Sequence, residues 1–556
     1  MNRRATLATL LGRSSTHTKA TEQPSAPRTL LSDLSPFSGS WGYTEAAHLL
    51  RRATFGVNNE QVKQAVTDGL DAVVEQLLAD LPMPEPPVNY FFNDDPNVPI
   101  GTTWVDKPFS RAVNFIPYRF NSLYAWTMGL LLEEGISVRE KMTLFWHNHF
   151  VTENINDPKY TYNYISLLRE NALGNFQELT KEVTINPSML RYLNGNQNTR
   201  RAPNENYARE LLELFTIGKG ELAGPGDYTT FTETDVIEIA KVLTGWVDVG
   251  YLSADPNQQP GAFYLINRHD LEQKQLSHRF GNTTILNAGN REYINLINII
   301  FQQEEVARFI CRKLYRWFVY YDIPEEVELN VIEPLAQILR DNNYEIKPVL
   351  RALFKSDHFY QPGCLGCMIK NPLDFMVNIL KQMKVDFPSA LFQKYNAYSA
   401  LFGYSQNLQM LYYFPPNVAG WKAYYQEPLY YQTWISSSTL SSRVRYTDII
   451  STRGAVIGNY RLRLDVLTFI NELDNPYDID ELLRETTRLL LPQGVTDEQN
   501  EYLREILIPG LPNFEWKVEY TYYRENPLDV DAKNSIEAKL RRLIQAILTL
   551  AEFHLG

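Results

Sequence analysis

The feature that most constrains this chain is a spacing of three and four between apolar residues, repeated in segment after segment. It is cleanest at 532–553, where Ile536, Leu540, Leu543, Ile544, Ile547 and Leu548 fall on one stripe. That period matches the α-helical turn and predicts one face buried along the helix. Helical character also marks 43–56, about 60–80, 137–150, 160–175, 204–217, 233–245, 290–320, 327–341, 346–356 and 370–384. Strand-like alternation is rare, and 515–523 (Glu-Trp-Lys-Val-Glu-Tyr-Thr-Tyr-Tyr) is the best short candidate. Long helices with few strands predict an all-α, mostly helical fold with long irregular loops and at most a small β-hairpin.

Length then sets the organisation. A chain of 556 residues exceeds the size at which one core stops growing. Residues 1–40 read as a tail and linker. Arg3 and Arg4 precede a short apolar stretch, which is either a twin-arginine export signal or an unprocessed tail. Residues 13–40 are rich in Ser, Thr and Pro. Residues 41–556 read as a helical unit, either undivided or split into two subdomains near 360–370. The Pro-rich stretch 82–103 cannot be a regular element.

Charge and cysteine content exclude several classes. A net charge of −12 and the lack of any Lys/Arg run argue against a nucleic-acid binder. No run of 18 apolar residues is present, so no segment reads as a membrane span. Cys364 and Cys367 form a CxxC, but no second CxxC completes a four-thiolate zinc cage. With Cys311 they read as ordinary thiols. No P-loop, GxGxxG, GxSxG or HExxH appears.

The polar clusters offer candidate chemistry. Ser137 with Glu140 reads as a capping box that opens a helix through His147-Asn148-His149. On a helix those two histidines lie about 200° apart, so they cannot grip one ion. Glu140, Thr143 and His147 share a face, which suits a carboxylate orienting an imidazole. In Asn204–Gly218, the residues Asn206, Glu210 and Glu213 share a face, Glu205 and Arg209 are an i,i+4 pair, and Gly218 is a left-handed cap. Two carboxylates on one face can ligate a metal or hold a proton for acid/base work; they can equally form a solvated face. Thr232 with Asp235 reads as helix capping. His269, Asp270 and Lys274 are a loop-borne polar trio, either a site or a plain surface loop. Residues 412–434 carry nine aromatics in 23 positions. Such rings suit a glycan or apolar ligand, or pin a loop into the core.

Taken in order, these segments resemble one bacterial family, the domain-of-unknown-function-1800 proteins. The resemblance rests on Ala46-Ala-His-Leu-Leu-Arg-Arg-Ala-Thr-Phe-Gly56, Phe145-Trp-His-Asn-His-Phe150 and Asn204–Phe215. It continues through Thr232–Val236 with Leu243-Thr-Gly-Trp246, His269-Asp270 with Lys274, and Pro416-Asn-Val-Ala-Gly-Trp421. It spans about 40–555. The resemblance implies no named activity. It implies that export to the periplasm is favoured over the cytoplasm, and that a sulfatase-like protein encoded nearby is a candidate partner.

Two functional expectations follow. In the first, Glu210, Glu213, His147, His269 and Asp270 converge in an enzyme pocket, with Lys274 beside it and a divalent metal as candidate cofactor. Glu210, Glu213 and His147 are then the candidate metal ligands. In the second, a non-catalytic binding or assembly protein presents Trp421, Tyr424 and Trp434, with Asn206 as a further ligand contact, to a glycan or protein partner.

Overall fold

A computed structural model describes residues 33–110 and 113–556, so the Arg3-Arg4 export reading lies outside the described residues. The labelled helices here are those that position the sites. They are α1 (Tyr43–Ala53), α2 (Ile116–Glu133), α3 (Arg139–His149), α4 (Pro158–Glu170), α5 (Glu205–Glu210) and α6 (Glu304–Phe318). They continue as α7 (Pro372–Gln382), α8 (Leu391–Ser405), α9 (Phe514–Glu525) and α10 (Val530–Leu548). The fold is mostly all-α. Strands among the described residues form only four separate two-stranded antiparallel pairs, such as Trp246–Val249 against Gly261–Tyr264. One continuous apolar cluster runs from Ala46 on α1 to Phe553 near the end of the chain.

The stripe that predicted α10 is the buried face of that helix: Ile536, Leu540, Leu543, Ile544, Ile547 and Leu548 are all buried. Asp529 caps it by accepting from the amides of Asp531 and Ala532. The strand expected at 515–523 is instead helix α9. Its aromatic residues mislead because two periods coexist there. Trp516, Tyr520 and Tyr523 are buried at spacings of four and three, whereas Val518 and Tyr522 are exposed. Burial follows the helical period, and tertiary packing overrides the β propensity of the composition.

The capping box expected at Ser137–Glu140 is also corrected. Helix α3 begins one residue later, with Val138 at its N-cap and no side-chain cap. Ser137 Oγ accepts from Arg139 N at 3.1 Å, and the Glu134 carboxylate accepts from Glu140 N at 3.1 Å. The Glu140 carboxylate is drawn away by Arg169 on α4, with Nε and Nη2 at 2.8 and 2.9 Å in a bidentate pair. Both side chains are fully buried. A fork-to-carboxylate contact of this kind outcompetes a backbone amide.

Helices α2 and α8 pack closely because Gly129 lies beneath the Tyr398 ring, where a Cβ would come to 2.8 Å of it. One turn earlier on α2, Tyr124 stacks on Phe402 of α8 at 4.3 Å. This pair fixes one wall of the cavity described next.

Candidate functional site

The C-terminal turn of α3 carries His147, Asn148 and His149, and each faces a different neighbour. Asn148 Oδ1 accepts from Trp421 N at 2.9 Å. Gly420, in the left-handed region at φ 87°, fits directly against Asn148, and a Cβ there would overlap it. The Pro416–Trp421 segment is thus fastened to α3. The chain just before it, Tyr412-Tyr413-Phe414, is laid across the His147 face.

His147 is buried and stacks on Tyr412 at 5.5 Å and 15°. Neither ring nitrogen makes a well-aligned hydrogen bond among the described residues, and the Tyr412 backbone is a weak partner at most. Burial lowers its pKa to about 4, offset in part by the Tyr412 backbone, so the ring is neutral at ordinary pH. The ring lines a cavity of about 360 Å³. Tyr124, Tyr164, Tyr413 and Phe414 supply apolar walls, and Thr152, Glu153, Asn154, Asn156 and Thr161 supply polar ones. No Lys or Arg lines it. Asn154 holds a left-handed backbone (φ 57°) within the 152–156 loop that lines the cavity.

His149 points elsewhere, as the helical angle requires. Its Nε2 lies 2.9 Å from Phe215 O and its Nδ1 lies 3.1 Å from Lys313 Nζ on α6. A carbonyl oxygen can only accept, so Nε2 carries the proton and Nδ1 accepts from Lys313. Lys313 also donates to Leu214 O at 2.9 Å. The acceptors Leu214 and Phe215 lie in a π-helical turn, Leu211–Thr216, which continues α5. The wider turn leaves these carbonyls open to outside donors. Burial holds the His149 pKa well below its usual value, and the neighbouring Lys313 adds to that.

The acidic helix does not join the cavity. Asn206 is exposed. Glu213 pairs with Lys219 at 3.1 Å and with Arg209 at 3.5 Å. Glu210 is half-buried, and burial together with Glu213 raises its pKa. Arg209, expected to pair with Glu205, holds Glu233 more closely, at 2.7 Å against 3.3 Å. An inward-turned face of Asn206, Glu210 and Glu213 is therefore corrected to a salt-bridged, partly exposed one.

His269, Asp270 and Lys274 form a site of their own around a residue the sequence reading missed. Glu292 Oε2 lies 3.1 Å from His269 Nε2, and Oε1 lies 2.6 Å from Lys274 Nζ. His269 Nδ1 faces Thr244 O at 2.9 Å. Lys274 donates to Asp270 O at 2.5 Å. His269, Lys274 and Glu292 are fully buried. Every strong group is matched, as in a network that locks loops together. Its only early signal was the helix-borne Glu292, 18 residues beyond Lys274.

Three of the aromatic residues expected at a binding surface are structural instead, although Tyr413 and Phe414 of the same run line the His147 cavity. Trp421 is 2% exposed and Trp434 6%, and Tyr424 packs against Trp317 of α6 with ring centroids 4.3 Å apart. These rings form core, not a surface. The expected convergence of Glu210, Glu213 and His147 on a metal does not occur. Among the described residues, no group of three or more His, Cys, Asp and Glu side chains is placed to hold a metal ion. Glu140, expected to orient His147, is committed to Arg169. The cavity residues Glu153, Asn154 and Asn156 were missed as well. They lie in an irregular loop whose direction no periodicity reveals.

A family model described as "Protein of unknown function (DUF1800)" matches residues 48–555. No curated protein and no solved structure matches the chain.

Proposed function

The chain belongs to the DUF1800 family, and on that premise we propose that it is a small-molecule enzyme whose site is the His147 cavity. The observation that carries the reading is a buried imidazole on the cavity wall whose nitrogens have no well-formed hydrogen bond, the Tyr412 backbone being its one weak partner. Leaving a buried polar group unsatisfied costs about 1–3 kcal/mol, so a bound group is its natural partner. A volume of about 360 Å³ suits a small organic molecule.

The lining narrows the ligand class. Glu153 is the one ionisable acid on the wall, and no cation balances it there. That favours a neutral or cationic polar substrate over an anion. A neutral imidazole can donate from one nitrogen and accept at the other. It can therefore orient a hydroxyl or amine and take part in its proton transfer, with Glu153 as the base within the same cavity. The tyrosine faces hold the apolar part of the molecule.

The test is a thermal-shift screen of the purified chain against neutral, cationic and anionic polar metabolites, repeated with His147→Phe and His147→Asn. Stabilisation by neutral or cationic compounds, lost in both variants, is the expected outcome. Hits that bind the variants equally well, or hits confined to anions, overturn the reading.

A further inference from the structure

A second, smaller cavity of about 40 Å³ lies on another side of α3. Its charged lining is Arg51 and Arg52 of α1, Lys141 of α3, and Lys370 and Asp374 at the start of α7. The four cations are each at least nine-tenths buried. Only Lys141 has a carboxylate partner, Asp374. Asp374 is also held by Asn371 Nδ2 at 2.8 Å.

Among the described residues the other cations meet no side-chain carboxylate. Arg51 donates to Arg488 O and Leu489 O at 2.7 and 2.8 Å. Arg52 donates to Phe318 O at 2.8 Å, to Val319 O, to Met368 Sδ at 2.8 Å, and to Gly556 O at 3.4 Å, which leaves one Nη1 proton free of these contacts. Lys370 donates to Phe553 O at 2.9 Å. Behind them Arg443, fully buried, donates to Lys370 O at 2.7 Å, while its Nε and Nη1 have no partner among the described residues. Five buried basic groups thus share one carboxylate, and burial pushes the Lys370 pKa down to about 7, so an anion beside it would hold it charged. A terminal carboxylate on Gly556 would lower that excess by one and not remove it.

Buried charge persists only when it is paired. The walls include Trp317 and Trp434, which keep water away and strengthen any ionic contact inside. Room for a water takes about 10–15 Å³, so the space holds a few waters or one small ion in their place. Arg51, Arg52 and Lys370 still have N–H groups that a multivalent acceptor can use.

We infer that this cavity is a binding site for a small oxyanion of the phosphate type, and that the anion offsets much of the excess positive charge between α1, α3 and α7. The inference is independent of the His147 reading, because Lys141 and His147 lie on different faces of α3.

The experiment is calorimetric titration of the phosphate-free full chain with inorganic phosphate, with thermal melts alongside and chloride at matched ionic strength as control. Ion chromatography of acid-denatured protein identifies any anion retained through purification. The expected result is one phosphate per chain, retained or titrated, and a saturable rise in Tm that chloride does not give. Lys370→Met binds at least ten-fold more weakly, yet melts no lower than wild type without phosphate. Glycerol 3-phosphate separates the two sources of the same chemistry: strong binding assigns the site to a phosphomonoester end, weak binding to the free ion. The inference is overturned if no anion is released or bound, or if Lys370→Met leaves the affinity unchanged. Should that variant fail to fold, the wild-type stoichiometry decides alone.

Discussion

His147 shows how one side chain can be placed correctly on its helix and still be given the wrong company. The angular argument that separates it from His149 holds, and the two rings point to different neighbours. What fails is the pairing with Glu140, because Arg169 arrives from α4. Trp421 is the converse case. Its composition suggested a ligand surface, whereas it is a core ring at 2% exposure. Trp421→Ala therefore costs about 3–5 kcal/mol in urea unfolding, the range for truncating a large buried aromatic. A loss below about 1 kcal/mol would return that ring to the surface. Glu292→Gln is also disruptive, since it strips the charge from the partner of a buried lysine. About 3–5 kcal/mol of stability is lost in the same assay.

At the scale of elements, periodicity located many of the helices, though not α2, α8 or α9, and local chemistry decided where they stop. The segment near 60–80 divides at Gly69, whose φ of 84° ends one helix and starts the next. The Thr232–Asp235 capping box is present as expected, with Asp235 Oδ2 accepting from Thr232 N at 2.7 Å. The box at Ser137–Glu140 is absent because Glu140 is used in a tertiary ion pair. Capping rules describe local competition, and a buried guanidinium outside the segment changes the winner. The junction of α3 with the 416–421 loop is the element on which the His147 cavity depends. Gly420→Ala places a methyl group against Asn148 and strains a left-handed residue. It costs at least about 2 kcal/mol, and it removes ligand-induced thermal shifts at the cavity even where the protein still folds. Full ligand response in that variant would show that the loop does not set the cavity.

For the whole molecule, buried histidines predict an acid limit. His48, His147, His149 and His554 are all buried, and desolvation is the largest cause of each lowered pKa. A group whose pKa falls on folding is neutral in the native state and takes up a proton only on unfolding. Its contribution is full above the unfolded value of 6.5 and is lost as pH falls. For His147 the loss is complete near pH 4 and amounts to about 3 kcal/mol. The urea midpoint should therefore drop steeply between pH 6.5 and 4, and less steeply in His147→Phe. An unchanged midpoint across that window would contradict the buried, neutral assignment.

The sequence by itself determined the helical class, most of the helices named from its periodicity and the motif order, while α2, α8 and α9 emerged only in the fold. Helical period, caps and glycine stops are properties of neighbours within a turn or two, and a linear reading sees them. It also supplied the resemblance that the family match bears out. Only the tertiary structure decided which polar groups meet. His147 is left without a well-formed hydrogen bond, His269 and Lys274 find Glu292, and Arg51, Arg52 and Lys370 gather around one carboxylate. Those pairings join residues tens to hundreds of positions apart. Their outcome depends on which helices pack together, and a buried charge takes whichever partner the packing delivers.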